Sequence, residues 1–226
     1  MSAYNEVDRA VNEAATYWIA RKWAFLNQAN EEFMTFVDPA VCYKDCLQEN
    51  DVAMVNMCFS EWALFERPLR RGLTPLEVFV DTPPVGTDAR TVELLRQVIA
   101  TQFFSRFAIL DKDAQSHIAV LRDVRTDCRY DVFTPRVCNN ERWHRGSIAM
   151  RIARAEGAWQ AVGQVYLYDV APVQSDAVDG PGEMHPEDYL IKPEAEFMGF
   201  YMRMLRDTFG IEGRYHESAR LREVAA

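Results

Sequence analysis

The densest gathering of reactive side chains in the chain is RVCNNERWHRG, where Arg136, Arg142 and Arg145 surround Trp143 and His144. Arginines supply charge along a phosphate backbone and an exposed ring supplies a stacking surface worth about 1–3 kcal/mol per base, so this composition suits single-stranded nucleic acid. The same residues also fit a loop whose tryptophan closes one end of a small barrel while its arginines face solvent or pair with acidic helices. Charge decides between them. Phe104 to Val170 carries ten Arg or Lys against eight Asp or Glu, a net of +2, which is a weak electrostatic footprint for a polyanion. The closing-loop reading is therefore preferred, and the five residues are the candidate binding set.

A second cluster is sulfur. Cys42 and Cys46 lie four residues apart on an expected helix and Cys58 lies on the next, so three thiols could converge. Zinc and iron–sulfur sites ordinarily take four ligands, and C-x₃-C is not finger spacing. Cys58 also falls on an apolar stripe, where a free cysteine packs as a small hydrophobe. No metal site is expected. Among the histidines, His185 in GEMHPEDY has acidic neighbours but sits in a stretch of linker composition, and His117, His144 and His216 make no H-E-x-x-H helix. G-x-S-x-G, phosphate-loop and G-x-G-x-x-G patterns are missing. No catalytic residues and no cofactor are expected.

Composition narrows the function classes further. A net charge of −9 opposes non-specific attraction to nucleic acid and anionic lipid, and outside Phe104–Val170 the balance is 15 basic to 26 acidic, a net of −11. Five cysteines, an odd number, in no small-scaffold spacing, and an N-terminus without a basic region followed by an apolar run place the expected compartment in the reducing cytoplasm. No apolar run approaches the roughly 18–20 residues of a membrane span. At 226 residues the chain can bury a sizeable core.

The elements that must hold these residues follow from periodicity. Val7, Val11, Ala14, Trp18, Phe25, Ala29 and Phe36 predict one long amphipathic helix from Asn5 to about Phe36. Asp38-Pro39 opens a second helix to about Gln48, and Asp51 caps a third whose stripe is Val55, Cys58, Phe59, Trp62 and Phe65. Leu64–Arg71 is expected to finish that third helix, with Pro68 bending or ending it and Gly72 able to take the left-handed cap conformation. Thr74-Pro75-Leu76-Glu77 has the pattern of a capping box, so the charged stretch EWALFERPLRRGLTPLEVFV reads as a helix corner and not as an active site. Val92, Leu95, Ile99 and Phe103 predict a further helix.

From there the period changes. Short β-prone runs separated by Asp-Lys-Asp and Arg-Thr-Asp, then a strand pair joined at Glu156-Gly157, predict five antiparallel strands in a small barrel or curled sheet. In the fourth strand Ile148, Met150 and Ile152 share one face, and Ala149, Arg151 and Ala153 the other. The expected class is α+β: an acidic helical portion over 1–103 packed on a β region over 104–170, a linker over 171–188, and a C-terminal helix and tail over 189–226. Phe197, Tyr201, Met204 and Leu205 form that helix's apolar face.

Phe59–Phe65 (FSEWALF), Gly72–Phe79 (GLTPLEVF), Leu121–Val124 (LRDV) and Tyr130–Val132 (YDV) together resemble a group of bacterial proteins associated with the SEC-C motif. The resemblance spans roughly Phe59 to Asp169 and implies a helical region ahead of a small β domain. It supplies no activity. Some members end in a cysteine-rich zinc-binding tail, whereas this chain has no C-x-C…C-H cluster near its end. The function expected from all of this is non-catalytic protein interaction in the cytoplasm with an unknown protein partner; nucleic-acid binding through the β region is the alternative.

Overall fold

The computed structural model describes residues 3–34, 49–123, 126–141 and 145–169. These residues form six helices, one 3₁₀ turn and five strands: α1 (Ala3–Ile19), the turn Lys22–Ala24, α2 (Leu26–Met34), α3 (Glu49–Phe65), α4 (Pro75–Asp81), α5 (Ala89–Thr101), β1 (Phe103–Asp113), β2 (Ile118–Asp123), β3 (Arg129–Phe133), the short α6 (Pro135–Cys138), β4 (Ser147–Ala155) and β5 (Ala158–Asp169). They fall into two compact units. One holds α1 together with α4, α5 and the whole β region; the other holds the 3₁₀ turn, α2 and α3. The class is α+β with a five-stranded mixed sheet.

In the first unit α1 buries Val7, Ala10, Val11 and Ala14, and Trp18 donates its indole N–H to the Pro75 carbonyl at 2.8 Å. Tyr17 meets Phe79 edge-on with centroids 5.4 Å apart. The corner ahead of α4 is built by sequence-local chemistry. Thr74 Oγ1 accepts from the Glu77 N–H at 3.3 Å, the Glu77 carboxylate accepts from the Thr74 N–H at 2.7 Å, and Pro75 takes the first helical position. The predicted capping box is thus present in full, contributing about 1 kcal/mol. Asp88 caps α5 by accepting from Arg90 N–H at 3.0 Å.

The sheet is built from alternation. Phe107, Ile109, Ala119, Leu121, Val132, Ile148, Met150 and Ile152 form its core, joined by Val137 and Cys138 of α6. On the other face of β4, Ala149, Ala153 and Ala155 are small enough for α5 to pack directly on the strand. β4 is consequently buried on both faces, and Arg151 lies inside at 1% exposure. Its guanidinium donates to Gln102 Oε1 and lies 5.7 Å from the Phe104 ring centroid. Beside it Arg106 donates to Ser147 Oγ at 3.0 Å. The tight turn Glu156-Gly157, with φ of 53° and 80°, joins β4 to β5 at the predicted residues.

Several expectations are corrected. The single N-terminal helix is two: after Ile19 the backbone tightens to i→i+3 bonds (Arg21 N–H to Trp18 carbonyl, Phe25 N–H to Lys22 carbonyl) before α2 begins. The apolar spacing runs on across the break because α1 and α2 each bury a stripe, in different units. Asp51 lies within α3 instead of capping it, and α3 ends at Phe65. Arg71 and Gly72, with φ of 55° and 80°, make a tight turn closed by the Arg70–Leu73 bridge, not a helix cap. Phe103 starts β1, since Gln102 already has extended geometry. β1 continues through Asp111-Lys112-Asp113, and the turn follows at Ala114–His117.

The strands are not all antiparallel. β1 pairs with β2 and β4, β2 with β3 and β4 with β5 in antiparallel fashion, while β3 and β5 run parallel through only two residue pairs, Val132↔Trp159 and Phe133↔Gln160. The pairings run β1-β2-β3-β5-β4 and return to β1, so the sheet curls on itself across a thin mixed seam instead of forming uniform antiparallel ladders. Alternation assigns faces and is silent on neighbour order and direction, which is why the seam could not be read. The helix expected over Asp38–Gln48, the linker and the C-terminal helix lie outside the described residues.

Candidate functional site

The two ends of the curled sheet are built differently. At one end, Pro135 starts α6 immediately after β3 and its single turn lowers Val137 and Cys138 into the core, at 0% and 5% exposure. Lys112 Nζ donates to the carbonyls of Val137 and Asn140, satisfying acceptors at the C-terminal end of that turn and holding it against β1.

Two residues of the predicted binding set, Arg136 and Arg145, are described at this end. Arg136 is exposed and donates from Nη1 to Gln164 Oε1 at 2.7 Å. Its charge also acts on Asp8 of α1, where burial pushes the carboxyl up and Arg136 pulls it back. Arg145 is exposed next to Gly146, whose carbonyl accepts from Ile109 N–H at 3.0 Å. Arg142, Trp143 and His144 lie outside the described residues. The side chains that fill the core from this segment are Val137 and Cys138, two residues that the focus on Arg and Trp overlooked although PRVC carries an apolar pair beside a helix-starting proline.

The opposite end carries aromatic rings. Phe103 at the start of β1, Tyr130 in β3 and Trp159 in β5 point inward from three strands, each half-buried against the core. Tyr130 and Trp159 lie 5.1 Å apart at 79°, Phe103 and Trp159 5.9 Å at 81°, and Phe103 and Tyr130 5.6 Å at 56°. The three rings form a corner of mutually inclined faces, with Phe107 below at 6.1 Å from Phe103.

Next to the corner is a buried carboxylate. Ser105 follows Phe103 on the inner face of β1 and donates its hydroxyl to Asp123 Oδ1 at 2.9 Å, and both residues are almost wholly buried. In the β2–β3 connection Asp123 N–H donates to the Cys128 carbonyl and Asp127 N–H to the Asp123 carbonyl, both at 2.9 Å. The Tyr130 phenol is held above its ordinary range, first by burial and then by the negative potential of Cys128 and Asp123, and the Cys128 side chain hydrogen-bonds to it. The phenol therefore stays neutral.

Sequence reasoning did not single out Phe103, Ser105, Asp123, Tyr130 or Trp159. Phe103 was expected in the preceding helix, the others lay on β-prone runs, and what gathers them is the pairing of β1 with β2, of β2 with β3 and of β3 with β5. Among the described residues no group of three or more His, Cys, Asp or Glu side chains could hold a metal ion, and no helix is long and apolar enough to cross a membrane. Cys58 is buried, as its place on the α3 stripe predicts; Cys42 and Cys46 lie outside the described residues. No family model, curated protein or solved structure matches the chain.

Proposed function

We propose that the chain is a non-catalytic cytoplasmic interaction protein that engages a protein partner through its β region. The observation that supports this is the contrast between the two ends of the sheet: one is filled by Val137 and Cys138, while the other leaves Phe103, Tyr130 and Trp159 half-exposed beside Asp123. Aromatic side chains that keep part of their surface in water at the rim of a rigid sheet are the residue types that dominate protein interfaces. Three buried polar pairs of the unit act within the fold: Ser105 on Asp123, Arg106 on Ser147, Arg151 on Gln102. The likeness of Phe59–Asp169 to the SEC-C-associated proteins is kept as part of this proposal and carries the fold expectation alone.

Affinity capture from nuclease-treated cytoplasm, with the wild-type chain and a Tyr130→Leu variant side by side, tests the reading. A protein retained by the wild type after nuclease treatment and lost from the variant is the expected result. Retention that vanishes with nuclease would move the assignment to single-stranded nucleic acid and to Arg136, Arg142, Trp143, His144 and Arg145. Fluorescence anisotropy over a salt series with Arg142→Ala and Trp143→Ala would then show steep salt dependence and loss of binding in both variants.

A further inference from the structure

We draw no further inference here: the strongest candidate, the exposed surface patch at Trp23 on the 3₁₀ turn Lys22–Ala24, where the Lys22 ammonium lies 5.2 Å from the ring centroid, is an apolar surface for which nothing in the structure shows what covers it.

Discussion

Ser105 lies diagonally across the β1–β2 ladder from Asp123, whose direct partner is Phe107; both side chains are out of water, and the hydroxyl donates to the carboxylate over 2.9 Å. A buried carboxylate needs its donors, because hydrogen bonds to a charged group contribute about 1.5–3 kcal/mol and a lost donor leaves the charge under-solvated. Ser105→Ala is expected to lower stability by about 1–2 kcal/mol in chemical denaturation, and Ser105→Thr, which keeps the hydroxyl, by less. Equal losses in the two variants would show that packing, and not the hydrogen bond, determines the effect.

The reciprocal bonds between Thr74 and Glu77 give the second expectation. Thr74→Ala removes the acceptor for the Glu77 N–H and should cost about 1 kcal/mol, a fall in melting temperature of about 2–4 °C for a chain of this length. Thr74→Ser should restore most of it. A melting temperature unchanged in the alanine variant would mean that the cap contributes nothing in this setting.

The contrast between that corner and the sheet explains what could be read in advance. The capping box and the Glu156-Gly157 turn are set by residues within four positions of one another, so the local string contains the whole physical cause. The face assignment in β4 was equally legible, because Ile148, Met150 and Ile152 alternate with Ala149, Arg151 and Ala153. Local spacing does not say that α5 covers the second face and buries Arg151, nor that β3 meets β5 in parallel to bring Tyr130 within 5.1 Å of Trp159. Those relationships are set by chain segments tens of residues apart. The attention given to Arg136 and Arg145 followed composition, and composition locates charge without locating the rings opposite.

In the second unit, Arg67 is buried at 5% and forms two bonds to the Glu32 carboxylate, Nε to Oε2 at 2.7 Å and Nη2 to Oε1 at 2.9 Å. Glu32 itself is 40% exposed, so the pair's Coulomb energy is screened, and the large consequence of breaking it is the guanidinium left behind. Glu32→Ala is expected to destabilise this unit by about 1–3 kcal/mol. The double variant Glu32→Ala/Arg67→Met should recover part of the loss by replacing the stranded charge with an apolar side chain. A double variant no more stable than Glu32→Ala would argue that the pair is not the source of the effect.

The described cysteines separate by environment, and their reactivity should follow. Cys128 is exposed on the β2–β3 connection, whereas Cys58 and Cys138 are buried, and burial pushes the Cys138 thiol above its ordinary range. The thiolate is the reactive form, so maleimide mapping of the native protein should label Cys128 at least about ten-fold faster than either buried residue, with the difference abolished by denaturant. The raised thiol also sets the sign of a pH effect. The folded state favours the protonated form, so the stability it supports is present below the ordinary thiol range and declines as pH climbs past it, where the unfolded chain ionises first. Denaturation midpoints at pH 7 and at about pH 9.5 should therefore differ more in the wild type than in Cys138→Ala. If the two proteins lose stability in parallel, the alkaline sensitivity belongs to other groups and Cys138 contributes none of it.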